Sequence, residues 1–316
     1  MSDIITSIKN SKIKNVIKLR DKARDRRELQ LFITEGVRMF LEAPDELIRE
    51  IYVSENMAAR LSLASASDFS PASVSAHLPD SVRNLASAVA LTSVSSSNAT
   101  DSKTDEDSEH ARYYDACRSR LFKHSYEIVT DEVMKNMSDT QTPQGILCVV
   151  EQPSCVIDDI MENKSTQLIL ILEGLQDPGN LGTIFRTSEA AGVTGIIMSR
   201  DTVDIYNPKT VRSTMGSIYR VPFIYSDDIY SDAGKLRGHG IKVYAAYLDG
   251  SASYDKCDYR DGSAFMIGNE GNGLSNKAVS CSDTRVRIPM EGSIESLNAA
   301  VSAAILLYEA HRQRMN

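Results

Sequence analysis

Residues 288–309, IPMEGSIESLNAAVSAAILLYE, are the stretch on which the interpretation of the whole chain depends. The β-branched run at 284–288 predicts a short strand, which a proline ends before a polar loop. A helix is expected next, beginning near Leu297. Its apolar face is expected to consist of Leu297, Val301, Ala304, Ile305 and Tyr308, which recur at helical spacing. Ser293 or Ser296 could cap this helix, whereas Asn298 has no evident task in its first turn. A strand, polar loop and helix start in this order are typical of a site for a small polar ligand.

The composition of the chain is that of an ordinary globular protein. Its 316 residues have room for one large or two medium domains, and 42% of them are hydrophobic and 25% charged. No apolar run approaches the roughly 20 residues that span a bilayer, and the first residues lack the apolar core of a secretory signal. Five scattered cysteines form no CxxC pair, which argues against a zinc site and a disulfide framework. We therefore expect no metal, no membrane segment and a cytoplasmic location.

Charge is distributed unevenly along the chain. The net charge is −8, yet residues 1–40 hold ten Lys and Arg against five Asp and Glu. Residues 9–29 are expected to form one basic helix. Such a helix could be a solvated face or a surface that binds phosphate groups, and charge alone leaves both interpretations open.

The first half of the chain predicts a small α/β domain at 1–150 that an insertion interrupts. Short strands and helices alternate on either side of residues 61–111, which hold fourteen serines and end in an acidic run. This composition buries too little apolar surface to offset chain entropy, so we expect most of the insertion to be disordered.

The second half, residues 151–316, alternates strands and helices regularly from Leu168 onward. Leu168–Leu172 is a continuous aliphatic run, as expected of a buried parallel strand. Repeated β–α units predict a parallel sheet with helices on both faces.

Three polar loops follow three of these strands, at 173–182, 267–274 and 288–298. Loops at the carboxyl ends of parallel strands converge in space, so these three could line one crevice. The glycine spacing matches neither the dinucleotide-binding nor the P-loop pattern. No Ser/His/Asp arrangement is evident either.

The three loops together resemble the motifs of a known family. They read DPGNLGTIFR at 177–186, GNEGNGL at 268–274 and IPMEGSIESLN at 288–298, in that order. The chain is similar here to the SpoU/TrmH family of RNA ribose 2′-O-methyltransferases, part of the SPOUT class. The resemblance covers about residues 168–312, and the N-terminal region looks like the family's small substrate-binding domain.

This resemblance implies an α/β fold with a parallel sheet and a C-terminal trefoil knot, S-adenosylmethionine as the methyl donor, and a homodimer. Positions that match the family's backbone contacts to the cofactor are Gly268, Ile288 and Leu297, and Gly273 is expected to help form the same pocket wall. Positions that match its polar active-site residues are Asn180, Arg186, Glu270, Ser296 and Asn298. In this chemistry Arg186 would hold an RNA phosphate and stabilise alkoxide charge, because arginine stays protonated in proteins. Glu270 would either pair with Arg186 or shape the cofactor loop, and Ser296 could be only a helix cap.

The resemblance also favours the phosphate-binding interpretation of the basic segment, with Lys14, Lys18, Arg24 and Arg27 as expected RNA contacts. The leading hypothesis is 2′-O-methylation of ribosomal RNA. The alternatives are the same chemistry on transfer RNA, or an RNA-binding assembly factor that has lost catalysis.

Overall fold

The computed structural model describes residues 4–63, 102–162, 166–249, 252–293 and 296–315, with the backbone alone for 102–111. The α-helices are α1 (Ser11–Asp21), α2 (Ala23–Leu29), α3 (Val37–Glu42), α4 (Glu55–Arg60), α5 (Ser102–Leu121), α6 (Asp131–Met137), α7 (Ile157–Met161), α8 (Pro178–Ala191), α9 (Pro208–Thr214), α10 (Ile229–Gly238), α11 (Asn276–Ser280) and α12 (Ala299–Arg314). The strands are β1 (Leu31–Glu35), β2 (Ile48–Ser54), β3 (Glu127–Val129), β4 (Ile146–Glu151), β5 (Leu168–Leu172), β6 (Gly195–Ser199), β7 (Phe223–Ser226), β8 (Lys242–Ala246), β9 (Ala252–Ser253), β10 (Ser263–Ile267) and β11 (Thr284–Arg287).

The chain divides into two units. The first contains Met1–Lys22 and Ile33–Val150, and the second contains Ala23–Phe32 and Glu151–Asn316. Across the described ranges, no helix is both long enough and apolar enough to cross a bilayer.

A mixed sheet in the order β1-β4-β2-β3 organises the first half of the chain. Strand β2 runs antiparallel to β4 and parallel to β3. Fully buried side chains in this part of the chain include Ile13, Phe40, Tyr52, Leu121 and Leu147. The first half of the chain thus combines short strands in one sheet with several helices.

The basic segment is two helices, so the prediction of one helix over 9–29 is wrong. Lys22 has an extended backbone, φ −122° and ψ 112°, which ends α1 before α2 begins. Helix α2 belongs to the second unit, where the guanidinium of Arg26 donates to Asp204 at 2.9 and 2.7 Å. Arg26 is only 3% exposed, so this arginine is an internal ion-pair partner and is not available to RNA.

The end of the serine-rich stretch is also more regular than its composition predicts. Helix α5 begins at Ser102, so residues 102–111, which the composition assigns to the insertion, have a helical backbone. The rest of the predicted insertion, from 64 to 101, lies outside the described residues.

A seven-stranded sheet in the order β7-β6-β5-β10-β8-β11-β9 forms the core of the second unit. Every strand pair in it is parallel, which confirms the predicted parallel sheet. All five side chains of β5 are buried, as its uninterrupted aliphatic run indicates. On one face α8 crosses α9 closely, since a Cβ at Gly182 would lie 2.2 Å from the Cβ of Ser213.

The final helix, α12, buries a different face from the predicted one. Its buried residues are Ala299, Ala300, Ala303, Leu306, Leu307 and Ala310. Val301 and Tyr308, from the predicted face, are 47% and 48% exposed. The helix has two apolar stripes, and the alanine-rich stripe packs against α8 and β10 because small side chains allow close approach.

Candidate active site

The three polar loops lie at one edge of the parallel sheet. In this sheet β5 neighbours β10, β10 neighbours β8, and β8 neighbours β11, all parallel. The loops after β5, β10 and β11 therefore leave the sheet at its carboxyl edge, where ligands of α/β proteins bind.

A chain of side-chain hydrogen bonds joins all three loops. Asn180 Nδ2 donates to Glu270 Oε1 at 3.0 Å, and Asn298 Nδ2 donates to Asn180 Oδ1 at 2.9 Å. Asn180 lies in the first turn of α8, directly after the first loop, whereas Glu270 comes from the second loop and Asn298 from the third. The structure thus brings together three of the five polar residues that the resemblance singles out.

Glu270 is engaged with the first loop through both carboxylate oxygens. Besides Asn180, it accepts hydrogen bonds from the backbone amides of Gln176 and Asp177, each at 3.2 Å. Burial alone would raise the pKa of Glu270, but these hydrogen bonds outweigh burial and hold its pKa below the usual value. The negatively charged carboxylate of Glu270 therefore links the first and second loops through hydrogen bonds, and it is a weak base.

The alternative in which Glu270 pairs with Arg186 is not observed. In the described part of the chain no ion pair joins these two side chains. Arg186 is exposed on α8, the helix that begins with Asn180 in its first turn, and the guanidinium is open to solvent. An exposed arginine can bind a phosphate through its planar fork of donors.

Asn298 is the N-cap of α12, so the expectation of a serine cap is wrong, whereas the helix does begin near Leu297, at Ala299. The side-chain Oδ1 of Asn298 accepts from the backbone amides of Ala300 and Val301 at 2.9 and 3.3 Å. Because Oδ1 is used by the helix, Nδ2 is left to face Asn180. Ser296 lies exposed two residues earlier, outside the hydrogen-bonded chain.

The second loop folds back on itself after β10. Asn269 and Gly273 exchange backbone hydrogen bonds of 3.1 and 2.9 Å. A Cβ at Gly268 would lie 2.2 Å from the carbonyl carbon of Gly273, so only glycine fits at 268. Gly273 itself has φ +65°, the left-handed region that glycine adopts freely.

Asn269 is a residue of this site that the sequence reasoning missed. Its Oδ1 accepts from the amides of Gly271 and Asn272, and its Nδ2 donates to the carbonyl of Gly174 at 2.7 Å. The available signal was an asparagine between glycines, a residue type that bonds to the backbone two residues onward in turns.

The aliphatic positions predicted to contact a cofactor are placed at the same edge. Ile288 follows β11 directly and Leu297 precedes Asn298, and both side chains are half-buried. In the described ranges, no group of three or more His, Cys, Asp and Glu side chains could hold a metal ion.

The predicted RNA contacts fall on two helices. Lys14 and Lys18 are exposed on α1 in the first unit. Arg24 and Arg27 are exposed on α2 in the second unit, where Arg24 pairs with Glu28 at 2.6 Å. These four residues are therefore divided between two helices and two units, and do not belong to the single helix that was expected.

The geometry defines a parallel α/β protein with a polar site at the strand ends, and comparisons with known proteins give its family. Residues 167–308 match the SpoU rRNA Methylase family. The chain is 34% identical over 182 residues to the 23S rRNA guanosine 2′-O-methyltransferase RlmP of Bacillus subtilis, covering 57% of this chain and 70% of that one. It is 33% identical over 191 residues to a 23S rRNA uridine 2′-O-methyltransferase of Streptomyces viridochromogenes, covering 59% and 66%.

A solved structure matches almost the whole chain. The AdoMet-bound rRNA methyltransferase of Sinorhizobium meliloti superposes with a TM-score of 0.70 at 26% identity, covering 98% of this chain and 97% of that one. The chain belongs to the SpoU rRNA methylase family, which confirms the resemblance inferred from its three motifs.

Proposed function

We propose that this protein transfers a methyl group from S-adenosylmethionine to a ribose 2′-hydroxyl of RNA. The observation that carries the proposal is the hydrogen-bonded chain Glu270–Asn180–Asn298, which joins the three family motifs at the carboxyl edge of the sheet. Two of the relatives act on the ribose 2′-oxygen of 23S rRNA, one on guanosine and the other on uridine. We therefore assign the ribose, and not a particular base, as the reacting part of the substrate.

The second and third loops suit S-adenosylmethionine. Gly268 and Gly273 carry no side chains, so a ligand can approach their backbone closely, and half-buried Ile288 and Leu297 offer an aliphatic wall for the adenine ring. When bound, the cofactor supplies a methyl group on a positively charged sulfur, which a ribose oxygen can attack. These four residues have the task of holding it in one orientation.

The polar residues act on the RNA. Asn180 and Asn298 each use one amide N–H within the chain of hydrogen bonds, which leaves a second N–H to orient the ribose or its phosphate. Arg186 holds the phosphate and stabilises negative charge on the attacking oxygen. Since arginine stays protonated and Glu270 is a weak base, removal of the 2′-proton falls to another group. Ser296, with its capping role excluded, is proposed to contact the ribose.

Ribosomal RNA is the proposed substrate. The support is the names of the relatives together with exposed Lys14 and Lys18 on α1 in the first unit. The proposal is tested by tritiated-methyl transfer to total RNA, followed by separation of ribosomal from transfer RNA. Label in the ribosomal fraction supports it, and label confined to transfer RNA gives the alternative substrate. A protein that binds the cofactor and labels no RNA would be an assembly factor that has lost catalysis.

We also propose that the protein is a homodimer. The support is the second apolar stripe of α12, where Val301 and Tyr308 are about half exposed beside partly buried Ala304 and Ile305. Light scattering tests this: wild type should have twice the chain mass, and Val301→Glu with Tyr308→Glu should have the mass of one chain. A monomeric wild type would contradict the proposal.

A trefoil knot and a cytoplasmic location complete the proposal. The knot is supported by strand order, since β10 and β8 separate β5 from β11. It is also supported by the fixed end of α12, where Arg314 donates to the carbonyls of Tyr259, Gln167 and Asp261. The proposed ribosomal RNA substrate supports the cytoplasmic location.

A further inference from the structure

Glu173, which directly follows β5, is a point where three hydrogen-bond donors meet. Its carboxylate accepts from the backbone amide of Ser275 at 2.8 Å, from the Ser275 hydroxyl at 2.6 Å and from the Tyr230 hydroxyl at 2.6 Å. The hydrogen bond to Glu173 raises the pKa of Tyr230, so this phenol keeps the proton that it donates. Hydrogen bonds to a charged acceptor are about twice as strong as neutral ones.

Ser275 is the residue at which the second loop ends. Its hydroxyl caps α11 by accepting from the amide of Ala278 at 3.1 Å, while the same hydroxyl donates to Glu173. Glu173 therefore contacts the residue that both follows the loop 268–274 and caps α11.

The second loop is thus tied to the residues after β5 at three separate points. Asn269 bonds to the carbonyl of Gly174 near the loop start, and Glu270 bonds to the first loop in the middle. The contact between Glu173 and Ser275 ties the end. Glu173 lies outside the three motifs, and it supplies the tie at the loop exit.

We propose that Glu173 is a positioning residue for S-adenosylmethionine: it holds the exit of the loop 268–274 so that Gly268 and Gly273 are ready to receive the cofactor. This inference rests on the proposed function. Glu173 acts through Ser275 and does not itself contact the cofactor. Without Glu173 the loop 268–274 samples more conformations, and only one of them binds the cofactor. The affinity for the cofactor then falls in proportion to the population of that binding-competent conformation. Once the cofactor is bound, the reacting groups are in place and the rate at saturation is preserved.

The test is a comparison of wild type with Glu173→Gln in the full-length protein. Glutamine keeps the shape but places an amide N–H₂ against donors. We expect the Kd and KM for S-adenosylmethionine to rise about tenfold or more, with kcat at saturation within about twofold of wild type. Tyr230→Phe removes one donor of three and should give a smaller rise. Ser275→Thr keeps the hydroxyl and should remain close to wild type, whereas Ser275→Ala should resemble Glu173→Gln.

Asp283→Asn is the matched control. Asp283 also accepts a backbone amide, from Val243 at 2.9 Å, and a side-chain donor, from Arg237 at 2.8 Å. It lies just before β11, at the opposite end of the sheet from the loops. This variant should lower the melting temperature and leave the KM for S-adenosylmethionine unchanged.

Different outcomes test the positioning role of Glu173 and the proposed methyltransferase function separately. A Glu173→Gln variant with wild-type Kd and KM overturns the positioning role, and so does one in which kcat falls while KM is unchanged. Either result leaves the proposed function standing if wild type still methylates RNA. A wild-type protein that fails to bind S-adenosylmethionine overturns the proposed function itself.

Discussion

The side chain of Asn298 donates to Asn180 at 2.9 Å across 118 positions of sequence, while its oxygen caps the final helix. One asparagine therefore performs two tasks, because its carbonyl oxygen serves the helix and its amide nitrogen serves the site. The start of α12 and the geometry of the polar cluster are fixed by the same group.

The two tasks of Asn298 can be separated by substitution. Asn298→Ala should remove both, lowering the free energy of unfolding by about 1 kcal/mol and the methylation rate roughly tenfold to a hundredfold. Asn298→Ser keeps a capping oxygen but cannot reach Asn180 as a donor. It should retain wild-type stability in urea and lose activity like the alanine variant. A serine variant with the wild-type rate would show that the Asn180 contact does not matter.

The charge on Glu270 predicts a pH-dependent contribution to stability. A carboxylate whose pKa is lowered by folding stabilises the native state above its unfolded pKa and loses this effect as pH falls through the folded pKa. Glu270→Gln should therefore be less stable than wild type at neutral pH. The difference should shrink once pH falls below about 4.5, the ordinary value for glutamate. Urea unfolding of both proteins at several pH values measures it, and a difference that is constant with pH would contradict the assignment.

The close crossing of α8 and α9 depends on the absence of a side chain at Gly182. Gly182→Ala should destabilise the protein by about 1–3 kcal/mol, because the new methyl group would overlap Ser213. Gly234→Ala is the control: Gly234 lies within helix α10, where an added Cβ would meet nothing within 4 Å, and the change should stabilise by roughly 0.5–1 kcal/mol. The double variant Gly182→Ala with Ser213→Gly should recover part of the stability that Gly182→Ala alone loses. Equal melting temperatures for the two alanine variants would refute this packing.

Exposed Lys14 and Lys18 predict a salt-dependent contribution to RNA affinity. Replacing both with glutamine should weaken binding and reduce the slope of log K against log salt by roughly 0.7–0.9 for each lost phosphate contact. The affinity for S-adenosylmethionine should not change. Lys235→Gln with Lys256→Gln is the control, because those lysines already pair with Asp232 and Asp255. An unchanged salt slope in the Lys14 and Lys18 variant would indicate that α1 is only a solvated helix face that does not contact RNA phosphates.

The parallel sheet was predictable because its inner strand β5 is aliphatic along its whole length. A run such as Leu168–Leu172 has apolar side chains on both faces of the strand, so it is stable only where both faces of the sheet are covered. The local sequence is therefore sufficient to predict a buried parallel strand. The three loops were recognisable for a related reason. Some of their positions require glycine for steric reasons: a side chain at Gly268 would overlap the backbone of Gly273.

The features that the sequence could not predict depend on distant partners. Serine and asparagine are about equally good helix caps, and the choice of Asn298 over Ser296 is decided by Asn180, far away in the chain. Likewise, α12 has two apolar stripes, and periodicity cannot tell which of them meets α8. The break at Lys22 is followed by α2, whose Arg26 forms an ion pair with Asp204, a residue distant in the sequence, within the second unit.

The central claim is that Arg186 and the joined loops form a site for ribose methylation. The most direct measurement is tritiated-methyl transfer to RNA by wild type, Arg186→Lys and Arg186→Ala, followed by mapping of alkali-resistant 2′-O-methyl positions. Wild type should label a ribose, and Arg186→Ala should lose about 10²–10³ in rate while binding S-adenosylmethionine normally. Arg186→Lys should fall between them, since it keeps the charge but not the planar fork. A wild-type protein that binds the cofactor but labels no RNA, or an Arg186→Ala variant with the wild-type rate, would contradict the account.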